Sequence, residues 1–106
     1  MRKPCKIKYT PLAREDLLKI FRYVALDLSS PQSAVKLLND IEAAVLRLRE
    51  YPYSSPEAND EYLAAQGYRT LIYAKYLVFY KVNTKKHLVI IHRVVYGSRN
   101  LKWLFD

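Results

Sequence analysis

The sequence predicts a single α+β domain over residues 1–106, with the element order β-α-α-β-β-β and a short C-terminal tail. An N-terminal strand leads into an antiparallel helical hairpin, which packs on one face of an antiparallel β-sheet. Two observations carry this reading. The apolar period is helical from about residue 11 to 48 and becomes extended after about residue 67. The links within the helical pair and between the last three strands are also short, so those elements are forced into antiparallel neighbours.

Residues Lys6 to Tyr9 alternate charge and bulk, as a short edge strand does. "TPLARED" then opens a helix. Thr10 stands at the N-cap, Pro11 at the first helical position, and Glu15 and Asp16 near the positive end. Leu17, Ile20, Phe21, Val24 and Leu28 form one apolar stripe. "SSP" repeats the start signal, with Ser30 as cap and Pro31 first. Ala34, Leu37, Leu38, Ile41, Val45 and Leu48 form the second stripe, and Leu38 and Ile41 are expected to face the sheet. About three residues join the two stripes, so the helices lie antiparallel.

"YPYSSPEAND" breaks the helix with two prolines and opens a loop to about Gly67. "YRTLIY", "YLVFYKV" and "HLVIIHRVV" are rich in β-branched and aromatic residues and are separated by "AK" and "NTKK". They read as a meander whose middle run, apolar on both sides, is buried. Gly97 ends the last strand, where a positive φ is easiest without a Cβ. One hairpin covers one sheet face, which leaves the other face and its rims to water or a partner.

Composition narrows the function. No apolar run reaches the roughly 18 residues of a membrane span, and residues 1–9 lack the apolar centre of a signal peptide, so the expected location is the cytoplasm. The single Cys5 excludes an internal disulfide and reads as a small filler in the first strand. One cysteine and two histidines make no recognisable metal set, and no cofactor is called for. Net charge is +8, and its placement is uneven. Residues 62–105 hold eight Lys or Arg and no Asp or Glu. Such a one-sign field attracts a polyanion or an acidic protein segment.

The residues that could use this charge are few. Arg69, Arg93 and Arg99 carry guanidinium forks that match phosphate and carboxylate equally well. Tyr68, Tyr73, Tyr76, Tyr80, Tyr96 and Trp103 either stack on bases or pack the sheet against its helices. His92 lies inside an apolar strand and reads as a hydrogen-bonded core residue rather than a general base. No carboxylate pair accompanies the basic strands, which argues against a metal-dependent nuclease and glycosidase chemistry. Gly67 and Gly97 alone cannot build a glycine-rich phosphate loop.

"TPLAREDLLKIFRYV", "SPQSAVKLLNDI", "YRTLIYAKYLVFYKV" and "VIIHRVVYGSRNLKWLF", in that order, resemble the RelE/ParE superfamily of type II toxins, ParE-like members more than RelE-like ones. The resemblance runs from Ile7 to Leu104. It implies a toxin of a toxin–antitoxin, plasmid-stabilisation type of module, neutralised as a hetero-oligomer by an antitoxin whose C-terminal segment wraps around it. RelE-like members cleave mRNA in the ribosomal A site without a metal; ParE-like members inhibit DNA gyrase. RelE-like enzymes carry an arginine after the tyrosine that opens the middle strand, where this chain has Leu77 after Tyr76. Their lysine pair on the preceding strand is represented by Arg69 and Leu71, and Trp103 stands near the place of a catalytic tyrosine. Many ParE-like members have His-Gly and Arg-Asp where this chain has Tyr96-Gly97 and Arg99-Asn100.

These readings make growth inhibition through gyrase the first expectation, with no catalytic residue assigned. Ribosome-dependent mRNA cleavage is the alternative, for which Arg69, Arg93, Tyr96 and Arg99 are the candidates. An inactive toxin-like binding module is the third. The surface expected to meet antitoxin or target comprises Arg69, Lys81, Arg93, Tyr96, Arg99, Lys102 and Trp103.

Overall fold

The computed structural model describes residues 3–97. Strand β1 (Lys6–Tyr9) is followed by α1 (Pro11–Arg22), which continues through a π-helical turn (Tyr23–Asp27). Helix α2 (Pro31–Leu46) ends in a 3₁₀ turn (Arg47–Arg49), and a short helix α3 (Glu61–Ala65) precedes the strands β2 (Arg69–Tyr73), β3 (Tyr76–Asn83) and β4 (Leu88–Tyr96).

The helix starts follow the sequence signals, with two differences. Thr10 caps α1 by accepting from the Ala13 N–H at 3.0 Å, and its hydroxyl donates to the His92 carbonyl at 3.0 Å, tying the helix start to β4. Ser30 does not cap α2 with its side chain. Its hydroxyl donates to Ser33 at 2.6 Å, and Pro31 alone presets the first turn. Glu15 and Asp16 fall in the second turn of α1, beyond the positive end. Leu28 leaves its stripe and is exposed, because the wider π turn changes the angular step.

The sheet order is β1-β4-β3-β2. β2, β3 and β4 form the expected antiparallel meander, but β1 pairs parallel to β4, so the sheet is mixed. The short links dictate the meander locally. The orientation of β1 depends instead on a partner more than 80 positions away, reached only after the helical crossover. A register shift between Phe79 and Tyr80 pairs them with Arg93 and Ile91, leaving His92 as the extra residue of a bulge.

α1 and α2 cover one side of the sheet. Ala13, Ile41, Val45 and Leu48 meet Val78, Tyr80, Val89 and Ile91 in the main core. β3 is buried as its two-sided apolar run predicts. On the other side Phe79 is sealed by Tyr68, Leu63 and Ala58. The segment expected as a bare loop to Gly67 therefore contains α3, which Asp60 caps by accepting from the Leu63 N–H at 3.1 Å. α3 covers part of the sheet face expected to be open, because Leu63 needs an apolar surface and Phe79 provides one.

Candidate functional site

The bulge divides two neighbouring residues between different tasks. Beyond Tyr9, β1 no longer covers the edge of β4, and the first turns of α1 take its place. The Thr10 N–H donates to the Ile91 carbonyl at 3.0 Å. Asp16 then accepts from the Val94 N–H at 3.0 Å, supplying the acceptor a missing strand would have given. Arg93 turns to the same carboxylate in a bidentate pair, Nε to Oδ2 at 2.7 Å and a terminal nitrogen to Oδ1 at 2.9 Å. Both side chains are largely buried, and the Asp16 hydrogen bonds, foremost among the influences on it, hold the Arg93 pKa above its ordinary value.

Arg69 is likewise engaged inside the molecule. Its Nε donates to the Ser55 carbonyl at 2.8 Å, a terminal nitrogen reaches the Tyr53 carbonyl at 3.3 Å, and the guanidinium lies 5.2 Å from the Tyr53 ring. It thereby pins the 53–57 segment along β2, where Thr70 and Pro56 also pair.

Lys81 stands on the open side of the sheet. Its ammonium sits 4.4 Å from the centre of the Tyr68 ring, a cation–π contact. The His92 ring meets Tyr68 edge-on at 5.1 Å. His92 is half-buried here rather than within the main core, because it follows core-facing Ile91 and so points to the opposite face of β4. Burial, then the Lys81 charge, lowers its pKa, so His92 is neutral near pH 7. At the far end of β4, Tyr96 is 61% exposed and stands edge-on to Tyr76 at 5.4 Å. The expected positive φ of Gly97 is present, at 102°, and its N–H donates to the Lys75 carbonyl.

Of the seven residues expected at the interaction surface, Lys81 and Tyr96 face outward on the strands, and Arg69 and Arg93 are held by internal partners. Arg99, Lys102 and Trp103 lie outside the described residues. Leu77, at the position where RelE-like enzymes carry arginine, packs against the Phe79 cluster. Asp16 was the residue sequence reasoning missed. It lies three after Ala13 and four before Ile20, on the buried stripe of α1, and a carboxylate on such a stripe signals a buried partner. Among the described residues no cluster of His, Cys, Asp or Glu could hold a metal ion, and no helix is long and apolar enough to cross a membrane.

Residues 7–101 match the family model described as the ParE toxin of the type II toxin–antitoxin system. The chain belongs to the ParE toxin family. The fold recurs in solved structures. A chain of the chromosomal ParDE toxin–antitoxin system of P. aeruginosa superposes with a TM-score of 0.69 at 22% identity, covering 92% of this chain and 100% of that one. A chain of the RelBE2 toxin–antitoxin complex of Mycobacterium tuberculosis gives 0.66 at 19%, covering 93% and 98%. Among curated proteins no sequence matches. As a ParE-family toxin, the chain keeps the superfamily's α+β architecture while using Arg93 for an internal pair with Asp16.

Proposed function

We propose that this ParE-family toxin arrests growth in the cytoplasm by binding DNA gyrase, and that an antitoxin with an acidic C-terminal segment neutralises it by occupying the open side of the sheet. The observation that carries this reading is the engagement of both described strand arginines. Arg93 is paired with Asp16 and Arg69 with the Ser55 and Tyr53 carbonyls, and Leu77 replaces the arginine of the RelE-like pattern. Cleavage of RNA by its own 2′-hydroxyl needs cations aimed at the phosphate, together with an acid and a base. Binding a protein needs a complementary surface with aromatic and cationic anchors, which Tyr96 and Lys81 begin to supply. Both solved neighbours come from toxin–antitoxin systems, which supports an antitoxin partner.

A second reading, ribosome-dependent mRNA cleavage, draws on the cluster of Lys81, Tyr68 and His92, where a neutral imidazole stands near a cation. The two part in one experiment. Purified toxin should block supercoiling by gyrase, and mRNA 5′ ends after induction should be unchanged. Normal supercoiling with new cuts inside ribosome-bound codons would replace the gyrase reading with the nuclease one.

A further inference from the structure

A cavity of about 470 Å³ opens on the helix-covered side of the sheet, where β3 ends and β4 begins. It is separate from the Lys81–Tyr68–His92 cluster: Val82, which lines it, packs with the helix-side core. Its apolar walls are Cys5, Pro52, Tyr53 and Val82, and cationic Lys3 and Arg49 stand around it with His87. Glu50 is the one carboxylate among the lining residues.

The walls are fixed before any ligand arrives. Buried Tyr80 donates from its hydroxyl to the Pro52 carbonyl at 2.9 Å. Tyr53 shares a hydroxyl hydrogen bond with Thr84, joining the loop to the β3–β4 turn, while Arg69 holds the Tyr53 carbonyl from behind. Cys5 and Arg49 exchange two bonds, Cys5 N–H to the Arg49 carbonyl at 2.8 Å and Arg49 Nε to the Cys5 carbonyl at 3.1 Å. His87 is held in the left-handed region, φ 49°, with its carbonyl accepting from the Lys6 N–H at 2.8 Å. A preformed cavity does not lose the ordering entropy that a flexible surface loses on binding.

The volume lies within the roughly 300–1,000 Å³ of small-molecule sites, which combine apolar walls with a few convergent polar groups. Tyr53 and Pro52 give the cavity an aromatic and a proline wall, the kind of surface on which a flat ring stacks. The guanidinium and ammonium around it select an anion, and the terminal nitrogens of Arg49, whose Nε is on the Cys5 carbonyl, match phosphate and carboxylate alike. We propose that this cavity binds a flat-ringed organic phosphate: a nucleoside monophosphate, free or as one unit of a single nucleic-acid strand.

The test is a titration of the full chain followed by amide chemical shifts, with AMP, adenosine, inorganic phosphate and a short single-stranded oligoadenylate as probes. AMP should shift Cys5, Tyr53, Val82 and Thr84 saturably, with adenosine and phosphate each weaker by about tenfold or more. Lys3→Gln should weaken AMP about threefold to tenfold without touching a structural hydrogen bond. His87→Asn, which keeps a residue tolerant of the left-handed region, should also weaken it, and Lys36→Gln on α2 should not. Equal or tighter binding of oligoadenylate at the same residues would assign the strand as the source, and weaker binding the free nucleotide. Absent or scattered AMP shifts, adenosine binding as tightly as AMP, or equal loss in Lys36→Gln would overturn the proposal.

Discussion

The Asp16 edge of the sheet and the Lys81 face hold their cations in different ways. At the Asp16 edge Arg93 is ion-paired, as Lys36 is with Asp40 on α2, while Arg69 spends its donors on two neutral carbonyls. On the open side Lys81 rests over the Tyr68 ring. An aromatic face attracts a cation without neutralising it, so the field of Lys81 still reaches solvent. Counting cations on strands therefore overstates the surface available to a partner. An arginine beside a helix carrying a stray carboxylate belongs to the fold, whereas a lysine stacked on a tyrosine still projects its charge.

The largest effect that would break this contrast lies at Asp16. Asp16→Ala leaves the Arg93 guanidinium and the Val94 N–H without their acceptor in a largely buried place, and should cost roughly 3–5 kcal/mol. Equilibrium denaturation of a non-toxic background measures it. A loss within about 0.5 kcal/mol, the range of an ordinary surface substitution, would mean that the pair is a solvated ion pair and the contrast is wrong.

The next effect concerns the hairpin face. Ile41 is 1% exposed, and Ile41→Ala should cost roughly 2–5 kcal/mol. Leu38 shares the sequence stripe but is only half-buried, so Leu38→Ala should cost clearly less. Equal losses from the two, in the same denaturation assay, would show that α2 is rotated about its axis relative to the sheet.

How much of this was legible beforehand depends on the distance over which each feature is decided. Thr10 and Pro11, the apolar stripes and the two short links act within a few residues, and they announced α1, α2 and the meander. The parallel pairing of β1, the bulge at His92 and the covering of Phe79 by Leu63 are settled by contacts across the chain. The site follows the same rule. Tyr96 and Lys81 could be named from the strand pattern, but nothing near Arg93 in sequence revealed Asp16, 77 positions away.

A smaller effect sharpens the open side. Folding lowers the His92 pKa, first by burial and then through Lys81, so the folded state binds its proton less readily than the unfolded chain. The corresponding stability is present above the ordinary histidine value of 6.5 and is lost as pH falls through the folded value. Lys81→Met should move the His92 titration upward while leaving it below 6.5, because burial is the larger cause. Imidazole proton shifts followed against pH provide the readout. An unchanged titration would separate Lys81 from His92. Stability in the same variant should change by no more than about 1 kcal/mol.

Lys81 and the open side are the surface proposed to meet an acidic partner, so the rate of association with the cognate antitoxin from low to high salt is the measurement to make. Opposite charges steer encounter, and salt screens them over a Debye length of about 8–10 Å at physiological ionic strength. The on-rate should fall steeply with salt, and a Lys81→Gln variant should associate more slowly with a shallower salt dependence while staying within about 1 kcal/mol of the parent's stability. An on-rate indifferent to salt, or a Lys81→Gln variant indistinguishable from the parent at every salt concentration, would contradict that proposal.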